Sequence, residues 1–167
     1  WRDSAGKVFG VVNSMDLRPE TADHKLQTKN LLKKLIYKMT PKSIIIWRKP
    51  AVRKIALTFD DGPNRDFTPL VLDILKKKDV RATFFLIGRE VEKDKELAGR
   101  IASEGHSIGM HSYSHYKFGK LNTRSRMAEI ARSRDVISSE IGVTTNLFRT
   151  PQGSLCIGQI LYCAKNR

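Results

Sequence analysis

The sequence contains little cysteine, and this limits the roles that thiols can play. Only 2 of its 167 residues are cysteines, Cys156 and Cys163. If the segment that holds them is helical, they lie two turns apart, about 10 Å, which is too far for a disulfide. Their spacing also lacks the C-x-x-C pattern of a redox or zinc pair, so we expect two ordinary core residues.

Long apolar runs are also lacking. Hydrophobic residues make up 40% of the sequence, yet the longest apolar runs, at residues 44–47 and 82–88, are far too short to cross a bilayer. The length and composition suit one globular domain with a real core. A leader-like apolar segment is lacking as well, and this leaves export open.

Acidic residues are few beside basic ones, 17 against 31, which gives a net charge of +14. Such an excess favours binding to polyanions, among them nucleic acid, anionic lipid and acidic envelope polymers. The alternative is a basic surface that is simply solvated. Lysine and arginine are spread over the whole chain rather than gathered into one nucleic-acid motif, so we do not expect a nucleic-acid partner.

The first fifty residues differ in pattern from the rest. In residues 26–39, apolar side chains alternate with lysines at helical spacing, and Pro41 ends the pattern. This predicts a basic amphipathic helix, which either packs across the outside of the main domain or faces a membrane or cell envelope. We therefore divide the chain into an N-terminal extension, residues 1–51, and a main domain, residues 52–167.

In the main domain, β-branched or aromatic runs alternate with helical segments. We expect strands at residues 55–59, 80–87, 106–110 and 145–148, and helices starting at 68, at 90–104, from 122 or 123 to 141, and at 155–164. Four strand-helix units favour an α/β fold with parallel strands and right-handed crossovers. Because a barrel usually needs eight such units, the pattern predicts either a small open sheet or the first half of a (β/α) barrel.

Polar side chains follow three of the predicted strands. Asp60 and Asp61 come after the first strand, His111 and His115 after the third, and Arg149 after the fourth. The carboxyl ends of parallel strands meet at one edge, so we expect these side chains to form one site. Two histidines four residues apart and one aspartate supply a nitrogen, nitrogen and oxygen set suited to Zn²⁺, with one coordination position left open for catalysis.

The second aspartate can then act as general base toward a water molecule activated by the metal. Spacing alone leaves both assignments of the two aspartates open. Taken singly, an Asp-Asp-Gly-Pro segment is typical of a turn, and a pair of histidines four apart is typical of surface or core residues. Their combination at one sheet edge favours the metal site.

Four segments together resemble a known family. They are residues 58–63 (TFDDGP), 82–85 (ATFF), 105–115 (GHSIGMHSYSH) and 148–153 (FRTPQG). On these segments the sequence resembles the polysaccharide deacetylase family, also called the NodB homology domain or carbohydrate esterase family four, over residues 53–166. The resemblance implies the first half of a distorted (β/α) barrel, with about four strand-helix units preceded by the basic helix. We expect sequence beyond this chain to complete the barrel.

The resemblance also implies roles for individual residues. The divalent metal, Zn²⁺ in the first place with Co²⁺ or Ni²⁺ as alternatives, would be held by Asp61, His111 and His115. Asp60 would be the general base. Arg149 would lie beside Asp60 and tune its charge, and the backbone N–H of Gln152 would help to hold the oxyanion. Ser112 would brace the histidine segment, while His106 would be structural.

The implied activity is a metal-dependent hydrolase that removes N-acetyl groups from N-acetylglucosamine units of peptidoglycan, chitin or chitooligosaccharide. In that reaction the metal-bound water attacks the acetyl carbonyl. Such an enzyme would be secreted or associated with the cell envelope. Thr150 and Gln152 depart from the family pattern of a second proline and a tyrosine. The family's later motifs, which include a general-acid histidine, have no counterpart here. A truncated, non-catalytic relative that binds metal and glycan is therefore the alternative.

Overall fold

Six parallel strands form one sheet in the computed structural model, which describes residues 11–12, 45–46, 56–154 and 156–165. The strands are β1 (Val11–Val12), β2 (Ile45–Ile46), β3 (Thr58–Gly62), β4 (Thr83–Leu86), β5 (Ser107–Met110) and β6 (Phe148–Arg149). Their order across the sheet is β2-β1-β6-β5-β4-β3, and every pairing is parallel. The carboxyl ends of the strands therefore share one edge.

Helices follow each of the strands β3 to β6. They are α1 (Thr68–Lys77), α2 (Gly88–Lys93), α3 (Lys95–Ser103), α4 (Thr123–Ile141) and α5 (Ile157–Lys165), with short 3₁₀ turns at Phe118–Lys120 and Pro151–Gly153. The predicted alternation of strand and helix, and with it the α/β class, is confirmed. Among the helices that the structure describes, none is long and apolar enough to cross a membrane.

Several boundaries differ from the sequence expectation. Strand β3 runs through Gly62 instead of ending at Phe59, and β4 is shorter than residues 80–87. The helix expected at 90–104 is two helices, because the Asp94 side chain accepts a hydrogen bond from the Leu97 backbone N–H at 3.1 Å and starts α3 afresh. Helix α1 presents Ile74 to solvent at 61% exposure, so this apolar side chain lies outside the core.

The N-terminal part of the chain is described at two places. The basic helix expected at residues 26–39 lies outside the described residues, and the division at residue 51 stays a prediction. Strands β1 and β2 come from this part of the chain and were not expected. Both belong to the same sheet as the rest, since β1 pairs with β6 and β2 pairs with β1.

Helix α4, with 19 residues, follows its sequence signals closely. The Asn122 side chain accepts a hydrogen bond from the Ser125 backbone N–H at 2.9 Å and caps the amino end. Gly142 ends the helix in the left-handed region, with φ of 67°. The helix expected from residue 122 or 123 to residue 141 is therefore confirmed.

The two faces of the sheet bury different groups, because successive side chains of a strand point to opposite sides. On the helix side, strand residues join the helices in one buried apolar cluster, which includes Leu72, Phe84, Leu86, Ile101, Ile108, Met110, Ile130, Ile137 and Phe148. On the other side, Phe85 lies where a Cβ on Gly109 would touch it. This packing fixes the strand ends that carry the polar residues.

The two cysteines lie at the carboxyl end of the chain. Cys156 and Cys163 are both free and partly buried, and Cys163 packs against the apolar cluster. Burial raises the pKa of the Cys163 thiol to about 11, so this thiol stays protonated at neutral pH. That state suits the ordinary core residue expected from the sequence.

Candidate metal centre

The polar residues expected at the strand ends lie around the carboxyl end of β4. Hydrogen bonds continue the ladders past this strand: the His111 N–H donates to the Leu86 carbonyl at 2.8 Å, and the Ile87 N–H donates to the Gly62 carbonyl at 2.9 Å. These bonds hold the ends of β3 and β5 on either side of β4. A side chain from each can therefore reach the other across the end of β4.

A bulge at Asp61 decides where the two carboxylates point. Asp60 pairs with Phe85 and Gly62 pairs with Leu86, so Asp61 is an extra residue in β3. Its φ is 69°, in the left-handed region. Adjacent residues of a regular strand point to opposite faces, whereas a bulge re-aims the side chain. Both carboxylates come close enough to His111 to influence its pKa. The expected strand end at Phe59 missed this feature.

Three potential ligands converge beside the bulge. The Asp61 Oδ1 atom lies 3.4 Å from His111 Nε2 and 3.3 Å from His115 Nε2. Their ligand atoms all lie within 4.8 Å of one another, and the centroids of the two imidazole rings are 5.0 Å apart. Two imidazole nitrogens and a carboxylate oxygen at such separations fit the donor set of a divalent transition metal.

The hydrogen bonding of His111 sets its tautomer. Its Nδ1–H donates to the Arg149 carbonyl at 2.9 Å, which leaves the lone pair of Nε2 directed toward Asp61. Burial lowers the pKa of His111, and this effect outweighs the opposing influence of the nearby carboxylates. The ring is therefore neutral at neutral pH, as a metal ligand must be.

The segment from His111 to His115, called the histidine loop below, has an unusual backbone. Ser112 and His115 have φ values of 66° and 55°, in the left-handed region that non-glycine residues rarely adopt. The hydroxyl of the fully buried Ser112 accepts a hydrogen bond from the His115 N–H at 3.0 Å. Ser112 thus contacts the loop as the family resemblance implied.

Arg149 links the second carboxylate to the sheet. Its Nη1 donates to Asp60 Oδ1 at 2.5 Å and to the Thr58 hydroxyl at 3.0 Å. The guanidinium carbon lies 4.1 Å from the centre of the Phe85 ring, so the cation is stacked as well as paired. Thr58 and Phe85 lie in two of the segments that carry the family resemblance, but no role was expected for either, since neither residue type signals a site.

Gln152 occupies the turn after β6. Its φ is 50°, and its side-chain oxygen accepts a hydrogen bond from the Phe118 N–H at 3.3 Å. This bond joins the turn to the segment that follows the histidine loop. The Gln152 backbone N–H has no acceptor among the described residues, so it is available to a bound group.

Similarity to known proteins identifies the family. The sequence profile of the Polysaccharide deacetylase family matches residues 47–161, and the chain belongs to that family. A peptidoglycan-N-acetylglucosamine deacetylase from Bacillus cereus is 39% identical over 112 residues, which are 67% of this chain and 41% of that protein. The crystal structure of the Bc1960 peptidoglycan N-acetylglucosamine deacetylase superposes with a TM-score of 0.65 at 39% identity, covering 68% of this chain and 53% of that one.

A relative of a different kind has the same fold. The structure of BA3943, a family 4 pseudoenzyme from Bacillus anthracis, superposes with a TM-score of 0.66 at 27% identity and covers 71% of this chain and 42% of that one. The chain thus spans about half the length of the relatives it matches. These neighbours have a barrel-type fold, which agrees with the partial (β/α) barrel expected from the sequence.

Proposed function

We propose that this protein removes N-acetyl groups by hydrolysis from an N-acetylglucosamine-containing polysaccharide, with a divalent metal held by Asp61, His111 and His115. The observation that carries the proposal is the convergence of these three side chains, whose ligand atoms lie within 4.8 Å of one another. A carboxylate fixed by an arginine lies next to them. One site thereby offers a place for a cation and a separate base.

The ligands leave a coordination position open, as catalytic sites do. When bound there, Zn²⁺, or Co²⁺ or Ni²⁺ in its place, would supply an activated water and polarise the acetyl carbonyl. His111 presents Nε2 because its other nitrogen is bound to a backbone carbonyl. His115, which is 28% exposed, forms the more open side of the site.

Asp60 is our candidate for the general base. Arg149 holds its Oδ1 atom, while Oδ2 has no hydrogen-bond partner among the described residues and can take a proton from water. The stacked and paired guanidinium of Arg149 fixes the orientation of the carboxylate. Arg149 therefore acts as a positioning residue for the base.

Gln152 is our candidate for stabilising the oxyanion of the tetrahedral intermediate. Its backbone N–H lacks an acceptor among the described residues, and the turn that carries it begins directly after β6. A backbone donor held before the reaction stabilises developing negative charge without reorganisation. The bond from the Phe118 N–H to the Gln152 side chain keeps this donor in place.

Peptidoglycan is the first candidate substrate, because relatives from Bacillus and Listeria have names that specify it. Chitin and chitooligosaccharide carry the same N-acetylglucosamine unit and are the alternatives. Peptidoglycan lies outside the cytoplasmic membrane, so we place the protein outside the cell or at its envelope. The positive net charge of +14 would favour association with acidic envelope polymers.

A second candidate is a non-catalytic protein that binds metal and glycan. One observation favours it: a structural relative is a pseudoenzyme. Retention of Asp60 opposes it, since a protein that only binds glycan needs no base beside the metal.

The test is acetate release from peptidoglycan and chitooligosaccharide by the purified, metal-loaded protein. We expect Asp60→Asn to keep the metal and to lose activity by about 100-fold or more. His111→Ala should lose both the metal and the activity, and removal of the metal by a chelator should abolish the activity of the unchanged protein. Full activity in Asp60→Asn would remove the base. Metal binding without any acetate release would favour the non-catalytic alternative, and absence of metal binding would overturn both.

A further inference from the structure

We propose that Glu129, in the middle of α4, is a positioning residue that holds the histidine loop in its ligand-presenting conformation. The inference rests on the proposed function, since it concerns the same metal ligands. Nothing in the sequence pattern distinguished Glu129 from the other polar residues of α4. Its contacts in the folded protein do.

The Glu129 carboxylate makes three hydrogen bonds to the two loop residues that precede His115. Its Oε2 atom accepts from the backbone N–H of Tyr113 at 3.1 Å and from that of Ser114 at 2.8 Å. Its Oε1 atom accepts from the Ser114 hydroxyl at 2.9 Å. One side chain thus satisfies two consecutive amides between the two histidines.

The opposite side of the loop is held by backbone. The N–H groups of Gly88 and Arg89, at the start of α2, donate to the carbonyls of Ser112 and Tyr113, each at 3.0 Å. Two carbonyls of the loop are therefore held by α2, and the amides of Tyr113 and Ser114 are held by Glu129 of α4. Substitution of a side chain cannot remove the backbone N–H donors of α2. The contribution of α4 comes from the Glu129 side chain, so a substitution at that residue removes it.

The loop needs this restraint because of its backbone conformation. The positive φ values of Ser112 and His115 are sparsely populated states that persist only when the surroundings fix them. Without Glu129, the two amides would bond to water and the loop could relax. His111 is tied to Arg149 and Leu86 by its own bonds, so the movement would fall mainly on His115.

Hydrogen bonding, rather than negative charge, is the property of Glu129 that the geometry requires. In Glu129→Gln, the amide oxygen can accept from both N–H groups while the amide nitrogen donates to the Ser114 hydroxyl. That variant should keep the loop in place. Glu129→Ala removes all three bonds. Ser114→Ala removes one of the three, together with the bond that the Ser114 hydroxyl accepts from the Tyr116 N–H at 3.3 Å.

The experiment is a titration of purified, metal-free variants with Co²⁺ and Zn²⁺, followed by the absorption of bound Co²⁺ and by competition with a chelator. We expect Glu129→Ala to bind about 10-fold more weakly, Ser114→Ala to be intermediate, and Glu129→Gln to stay within about threefold of the unchanged protein. The matched control is Glu140→Gln, an exposed carboxylate near the carboxyl end of α4, and this variant should bind the metal as the unchanged protein does. Saturating metal should restore most of the kcat of Glu129→Ala.

Three outcomes separate the possibilities. Equal affinity in Glu129→Ala and Glu140→Gln would overturn the positioning role while leaving the proposed function intact. Equal losses in Glu129→Gln and Glu129→Ala would overturn it too, because charge would then matter and bonding would not. If Glu129→Ala does not fold, Ser114→Ala and Glu129→Gln decide by the same criteria. Failure of the unchanged protein to bind metal would instead remove the proposed function itself.

Discussion

Strand β5 carries a buried histidine at each end, and the two histidines have different surroundings. His106 precedes the strand at 8% exposure, and His111 follows it at 4%. Burial is the main cause that lowers the pKa of both below the ordinary value. Residue type, burial and protonation are thus alike at the two ends, so any difference in role comes from the neighbours.

The neighbours of His106, at the amino end of β5, differ from those of His111, at its carboxyl end. His106 Nδ1 accepts from the Ala82 N–H at 3.3 Å, and the ring packs on Phe84 with centroids 5.3 Å apart. His111 faces Asp61 and His115 instead. The group formed by these last three is the one set of possible metal ligands found among the described residues. The carboxyl edge of a parallel sheet gathers loops, and there a buried histidine gains partners that can bind a ligand.

The largest difference between the two ends of β5 should appear in Zn²⁺ affinity when each histidine is replaced in turn. We expect His111→Ala to weaken Zn²⁺ binding by at least about 100-fold, more than a change outside the ligands would, because a ligand is lost. His106→Ala should leave the affinity unchanged. Calorimetric titration of both variants checks this, and comparable losses in the two would contradict the distinction between them.

A substitution at Gly109, in the middle of β5, should destabilise the whole strand and so affect both of its ends. A Cβ at Gly109 would lie 2.6 Å from two atoms of the Phe85 ring and 3.1 Å from Leu147 Cβ. We expect Gly109→Ala to lower the free energy of unfolding by about 3 kcal/mol, as overpacking a core does.

Chemical denaturation measures the change, with Gly99→Ala as the control. Gly99 lies in α3 with nothing within 4 Å of an added Cβ, so alanine should raise the free energy of unfolding by about 0.5–1 kcal/mol. An unchanged Gly109→Ala would show that the packing against Phe85 does not limit stability. An equal loss in Gly99→Ala would mean that the loss at Gly109 is not specific to that packing.

The structural role of His106 should appear in stability. Removing its ring leaves the buried Ala82 N–H without its acceptor and opens space beside Phe84. We expect His106→Ala to lower the free energy of unfolding by about 2 kcal/mol. Denaturation in urea checks this. Unaltered stability would mean that the ring contributes nothing at this end of the strand.

The smallest expected effect is a dependence on pH. Burial, and then the charge of Arg81, lower the pKa of His106 in the folded protein. The unfolded chain, with an ordinary pKa of about 6.5, therefore binds the proton more readily. The free energy of unfolding should fall as the pH drops below that value, until the folded protein also takes up the proton.

The measurement compares unfolding of the unchanged protein and His106→Ala between about pH 8 and pH 5, without added metal. The variant should show a shallower decline, because one of the groups that resist protonation is gone. Parallel declines would assign the pH dependence to other groups, such as His111, whose pKa is lowered as well.

The order of elements was accessible from the sequence because it depends on local patterns. The caps of α4 at Asn122 and Gly142 lie beside the helix that they bound, and the apolar run of β4 is continuous. The break at Asp94 was missed, since an aspartate within a helical pattern is ordinary until its side chain binds the Leu97 N–H.

The sequence alone determined that acidic and imidazole side chains follow the strands of a parallel sheet, since strand direction follows from the alternation of strands and helices. Only the tertiary structure decided how those side chains meet. The bulge at Asp61 depends on the register between β3 and β4, and the bonds of Glu129 depend on how α4 lies against a loop 15 residues earlier. Such contacts form between segments distant in the chain, whose mutual placement is set by the packing of the whole core.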